Sequence, residues 1–203
     1  MIKENLARLR EEIASACRSA GRNPQDITLV GVTKFVPDES VKEAIEAGLT
    51  DVAENRVQEA EKKFPALAQS YPKLRRHLIG HLQSNKAKDA LAACDLIQSV
   101  DSLKLANEIE KHAAKSGKTA EILVQFNTGR EPQKFGADPD EAMTLIEAVG
   151  KLPRVRVRGL MAMAPYTEDA GLIRKTFGDL RGIRDQVLKN FKGHTSVTMQ
   201  YLS

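Results

Sequence analysis

The chain has 203 residues, 41% hydrophobic and 29% charged, with a formal net charge of +4 from 31 basic and 27 acidic side chains. That length suits one domain with a full core, and the composition is that of an ordinary soluble globular protein. It excludes a membrane span and a signal peptide, because there is no long apolar run and charges crowd Met1 to Arg10.

A cytoplasmic location follows as the expectation. Six Phe, three Tyr and no Trp offer few stacking rings, so no nucleic-acid partner is expected. A mild, spread positive charge suits a small anion such as a phosphate ester. Cys17 and Cys94 are far apart and read as free, semi-buried thiols. Neither has a partner at metal-ligand spacing, so no zinc site is expected.

In chain order, Ile2, Leu6, Leu9, Ile13 and Cys17 form one apolar helical stripe that stops at Gly21. Asn23-Pro24 turns the chain into a β-branched run, Ile27 to Val32, which reads as a buried strand. A helix from about Asp38, read as its cap, to Ala47 stops at Gly48. A strand at Asp51 to Glu54 precedes a charged helix with Val57, Ala60 and Phe64, predicted to break near Pro65. His77 to His81 reads as a strand, followed by an Ala-rich helix and a strand at Leu96 to Val100. Asp101 or Ser102 caps the next helix, which carries Leu105, Ile109 and Ala113 and ends at Gly117. Glu121 to Phe126 is a strand, and Asp138-Pro139 starts a helix with Ala142, Leu145, Ile146 and Val149. Val155 to Met163 is a strand, a long helix carries Ile173 to Val187, and Ser196 to Leu202 closes the chain as a strand.

Repeated βα units indicate a parallel sheet covered by helices, either an open doubly wound sheet or a barrel. The glycine loop of a dinucleotide fold is absent; Thr33-Lys34-Phe35-Val36-Pro37 follows the first strand instead. A TIM-type (β/α) barrel is therefore expected, as one domain over 1–203 with an N-terminal helix.

In such a barrel the chemistry sits where strands end. Lys34 follows the apolar run Leu29 to Val32. A lysine held in low dielectric can be neutral and attack an aldehyde, forming an imine. The alternative is a lysine whose stem is packed and whose head is wet. His77 and His81, four apart on a strand, are about 13 Å from each other, too far to share one metal ion. His77 then reads as structural and His81 as a group near the site. Arg154, Arg156 and Arg158 share one strand face and read as a solvated rim, and the Lys62-Lys63 and Arg75-Arg76 pairs as surface charge. No P-loop, nucleophile elbow or triad pattern is present.

These stretches together resemble a known family. Val30-Gly31-Val32-Thr33-Lys34, Glu54-Asn55-Arg56-Val57-Gln58-Glu59, His77 to Lys86, Ser99-Val100-Asp101-Ser102, Lys134-Phe135-Gly136 and Arg158 to Met163 occur in order over nearly the whole chain. The pattern resembles the YggS/PROSC family of pyridoxal phosphate (PLP) homeostasis proteins, which is similar to the N-terminal barrel of alanine racemase. The resemblance implies an intracellular PLP-binding protein in vitamin B6 homeostasis, with PLP as a Schiff base on Lys34 and no assigned reaction. It implies that Asn55 lines the cofactor and that Met161 and Met163 sit under the mouth; His81, from its place at the strand top, is expected to face the cofactor. A racemase histidine falls on Met163 and a racemase arginine on Lys134, so the proton-transfer set is incomplete; Lys134 is a candidate to accept or relay PLP. Expected partners are PLP and PLP-dependent apo-enzymes as recipients, with the protein a monomer. The runner-up reading is a fold-type III PLP enzyme, a racemase or decarboxylase acting on amino acids; a Schiff-base aldolase barrel without PLP and a non-catalytic binding module with a structural Lys34 are further alternatives.

Family members continue past Ser203 with a phosphate cradle and a last strand, so the barrel is expected to lack that strand here, with Ser203 the one cradle residue present. Either the sequence is part of a longer chain, or it is natively short. In the second case weak PLP binding and an exposed strand edge beside Lys34 are expected.

Overall fold

In the computed structural model, which describes residues 1–131 and 133–203, helices and strands alternate from end to end. The order is α1 (Ile2–Ser19), β1 (Val30–Val32), α2 (Asp38–Glu46), β2 (Asp51–Glu54), α3 (Val57–Ser70), β3 (Arg75–Leu78), α4 (Ala87–Ala93), β4 (Leu96–Val100), α5 (Leu103–Ser116), β5 (Ala120–Gln125), α6 (Ala142–Gly150), β6 (Val155–Met161), α7 (Ala170–Asn190) and β7 (Val197–Leu202). The strands pair in chain order, β1 through β7, and every pair is parallel. Parallel neighbours need a crossover each time, and the helices supply it. No helix among the described residues is long and apolar enough to cross a membrane.

The sheet curls into barrel form. Arg75 on β3 donates to the Tyr201 hydroxyl on β7 at 2.7 Å, although these strands are four places apart, about 19 Å in a flat sheet. The main core fills the layer between strands and helices: Val52, Leu78, Ile97, Ile122, Val157 and Leu160 meet Phe64, Ile109, Ile146, Leu180 and Val187. Each such side chain contributes about 1.5–3 kcal/mol by leaving water. A second, smaller cluster of Leu96, Leu123 and Met161, with Tyr201 against it, fills part of the inside. The rest of the inside is polar and contains a cavity of about 230 Å³ reached by both edge strands, through Val30 and Tyr201.

The barrel expected from the alternation is thus the observed fold, with several local differences. β1 is shorter than the apolar run, because Asn23 caps a 3₁₀ turn at Pro24–Asp26 and the chain leaving it is unpaired until Val30. Asp38 opens α2 rather than capping it; Pro37 holds the cap position, and Asp38 and Glu39 lie in the first turn, where carboxylates favour the helix dipole. α3 runs through Pro65 to Ser70, because Val57, Ala60, Phe64 and Leu67 are all buried on one face and outweigh the missing hydrogen bond. Ser102, not Asp101, caps α5, its hydroxyl accepting from Leu105 N–H at 3.3 Å. β3 begins at Arg75 and ends at Leu78, leaving Gly80 and His81 in the following loop.

Three charge assignments also change. Arg75 and Arg158 are half-buried and converge on Glu121 inside the barrel, with Arg158 Nε 3.3 Å from the carboxylate. Lys63 is mostly withdrawn from solvent against Glu54, while Lys62 is exposed as expected.

Candidate functional site

The C-terminal ends of the strands form a mouth, and the first residues there belong to a turn. Thr33 N–H continues the ladder to the Ala53 carbonyl at 2.9 Å, and Val36 N–H closes a turn on the Thr33 carbonyl at 3.1 Å. Lys34 and Phe35 are the two central residues. Phe35 has φ of 60°, the left-handed region, and is 92% exposed. Lys34 is exposed, not held in a low-dielectric interior, and its amine makes no hydrogen bond or ion pair among the described residues.

Asn55 follows β2 and is half-buried. Its carbonyl presses on Gly80: a Cβ there would stand 2.1 Å from the Asn55 oxygen, so only glycine fits. His81, just beyond, stacks flat on Phe135 with ring centroids 3.8 Å apart and 10° between planes. Its Nδ1 lies 3.6 Å from Asp101 Oδ2. Asn55 and His81 line one pocket with Arg56, Gln83 and Lys86.

Across the mouth, Lys134 is tied on two sides. Its Nζ pairs with Glu131 at 2.6 Å and donates to the Ala164 carbonyl at 2.9 Å, joining the loops after β5 and β6. Met161 is buried in the inner cluster, whereas Met163 is 57% exposed. Ser203 extends β7 by pairing its N–H with the Leu160 carbonyl at 2.9 Å, and its hydroxyl donates to Gln98 Oε1 at 2.7 Å.

The structure therefore brings Asn55 and His81 together, sets Met161 and Ser203 toward the interior, and ties Lys134 to the β6 loop. Lys34 and Met163 lie on the exposed rim.

Below the mouth lies a chain of polar groups. His77 is buried as the structural histidine expected, with Nε2 2.9 Å from Asp51 Oδ1 and Nδ1 2.7 Å from Gln98 Nε2. A carboxylate can only accept and an amide nitrogen can only donate, so His77 carries its proton on Nε2. Burial raises the Asp51 carboxyl, but hydrogen bonds from His77 and Thr50 outweigh it and hold the group below its usual range. The chain continues through Gln98 to the Ser203 hydroxyl. Sequence reasoning does not single out Gln98 and Asp51; the signal available is that each is a polar residue within a fully buried strand, Asp51 with Glu54 in β2 and Gln98 with Ser99 in β4. Among the described residues, no three His, Cys, Asp or Glu side chains group as metal ligands. Both cysteines are buried and free, and burial pushes the Cys94 thiol up to about 12.

Four similarities bear on this geometry. A family model for the alanine racemase N-terminal domain matches residues 3–199. A pyridoxal phosphate homeostasis protein of Aquifex aeolicus is 38% identical over 200 residues, 98% of this chain and 85% of the relative. Among solved structures, an unknown protein from Bifidobacterium adolescentis superposes with a TM-score of 0.91 at 32% identity, covering 99% of this chain and 84% of the other. PipY of Synechococcus elongatus, with PLP bound, superposes with a TM-score of 0.84 at 31% identity, covering 100% of this chain and 87% of that one.

Proposed function

The chain belongs to the pyridoxal phosphate homeostasis proteins, built on the alanine racemase N-terminal domain, and from that premise we propose that it holds PLP covalently through Lys34. The observation that carries the reading is the unpartnered Lys34 amine at the end of β1, where (β/α) barrels keep their chemistry. PipY, 31% identical, is a relative with PLP bound. The donor set fits the group: a free primary amine, the flat face of His81 backed by Phe135, and a hydroxyl at Ser203. When bound, PLP supplies an electrophilic aldehyde carbon to a lysine amine.

The chain's own residues divide the work. Lys34 attaches. Asn55 and His81 line the near wall, and the Phe135 stack keeps the imidazole from turning. Met161 closes the floor, and Ser203 offers its oxygen toward the phosphate side. Lys134 stands opposite, charge-paired with Glu131, as a second amine for PLP arriving or leaving.

Holding, rather than turnover, is the function this set supports. Met163 is a thioether and cannot carry a proton. PLP-dependent apo-enzymes in the cytosol are the proposed recipients, with the holder a monomer.

The test is an absorbance spectrum of the purified protein after addition of PLP, with Lys34→Ala beside it. The parent develops the yellow band of lysine-bound PLP and the variant does not. A band of equal strength in Lys34→Ala overturns the assignment. Steady conversion of an amino acid by the loaded parent overturns the holding role.

A further inference from the structure

Lys63 reads from sequence as surface charge, but its side chain is only 12% exposed and that of Glu54 only 1%. Its ammonium reaches three acceptors: the Thr33 carbonyl at 2.7 Å, Glu54 Oε1 at 2.8 Å and the Val36 carbonyl at 3.3 Å. An ammonium has three N–H donors, so this one is fully used.

Two of those acceptors are the carbonyls of the first and last residues of the Thr33–Val36 turn. The third, Glu54 Oε1, also accepts from the Thr33 hydroxyl at 2.7 Å. The turn thus has a buried cation beneath it, bonded to both ends and to the carboxylate that grips its first residue. Such support is needed. Phe35 sits at φ 60°, a region unfavourable for a side chain with a Cβ, and at 92% exposure nothing packs on it to hold it there. Lys63 in turn is fixed by α3, whose neighbouring Phe64 and Ala60 are fully buried.

We propose that Lys63 is the positioning residue for Lys34: it locks the Thr33–Val36 turn so that the Lys34 amine is presented at the mouth, while its own donors are taken up by the turn and Glu54. The functional half of this rests on Lys34 being the PLP lysine. A turn that reaches the presenting geometry one tenth of the time weakens apparent affinity tenfold.

The test compares the parent with Lys63→Met, Lys63→Arg and Lys34→Ala. Two quantities are read: hydrogen exchange of the Val36 amide without PLP, and the PLP dissociation constant from the visible band. Lys63→Met is expected to exchange Val36 about tenfold faster and bind PLP about tenfold more weakly at unchanged circular dichroism. Lys63→Arg, which keeps charge and donors, restores most of both. A folded Lys63→Met protein with parental exchange and affinity overturns the proposal. If that variant does not fold, Glu54→Gln with Lys63→Met removes both charges together, a milder change than leaving one buried ion alone. The same two losses are expected there, and their absence overturns the proposal. A Lys34→Ala protein that keeps the band overturns the PLP reading instead. The Val36 exchange still decides, without any cofactor, whether Lys63 holds the turn.

Discussion

A carboxyl buried beside an imidazole, as Asp51 is beside His77, faces two opposing effects. Burial alone raises it, and the hydrogen bonds from His77 and Thr50 bring it below the usual value of 3.8. The folded-state pKa is therefore the depressed one. The stability it contributes is fully present above the unfolded pKa and is lost as pH falls through the folded pKa. Asp51→Asn keeps the shape but loses the charge, and at pH 7 it is expected to cost about 1–3 kcal/mol in urea unfolding. The gap between parent and variant should shrink as the pH falls from 5 towards about 2; a constant gap rejects the account. At this scale the sequence is legible where strand geometry decides. His77 in β3 is buried as that geometry places it, whereas His81 reaches the mouth in the loop after β3. The sequence is illegible where burial depends on a neighbour in space. Lys62 and Lys63 are adjacent in sequence, yet only Lys63 turns under the Lys34 turn.

An α-helix that carries proline at its ninth position illustrates how elements follow their buried face. Pro65 is exposed on α3 and cannot donate a backbone hydrogen bond. Local propensity predicts a break there, and four buried residues on the opposite face prevent it. Pro65→Ala restores a donor and a good helix former. It is expected to stabilise the protein by about 1–2 kcal/mol, after allowing for the greater freedom of the unfolded chain. A thermal melt that does not rise would mean that α3 has already relaxed around its proline. Strand ends behave in the same way. Apolar runs give the presence of β1 and β3 but not their limits, which depend on which neighbour's carbonyl is within reach. Ile27 to Leu29 lie outside the sheet ladder. Arg75 and Arg76 join β3 because Arg75 N–H finds the Thr50 carbonyl and Asp95 accepts from Arg76.

The whole molecule couples these parts through curvature. The βα alternation is readable as a parallel barrel, but the contacts that follow from curling are not, since they join residues more than a hundred positions apart. Arg75 with Tyr201 and Gln98 with Ser203 are examples. Those contacts place β7 against β3 and β4, so a ligand that touches Lys34 at one edge and Ser203 at the other ties the two edges of the sheet together. Binding only to the folded chain must then raise its stability by mass action. At a PLP concentration one hundred times the dissociation constant the gain is about 2.7 kcal/mol. For a chain of this length that is a rise in melting temperature of roughly 5–10 °C. The parent should show that shift, and Lys34→Ala should show little of it at the same concentration. Ser203→Ala should fall between, because it removes one contact at the far edge and leaves the attachment intact. Equal shifts in all three proteins would put PLP elsewhere on the fold. A full shift in Ser203→Ala alone would mean that β1 and its turn hold the cofactor without β7.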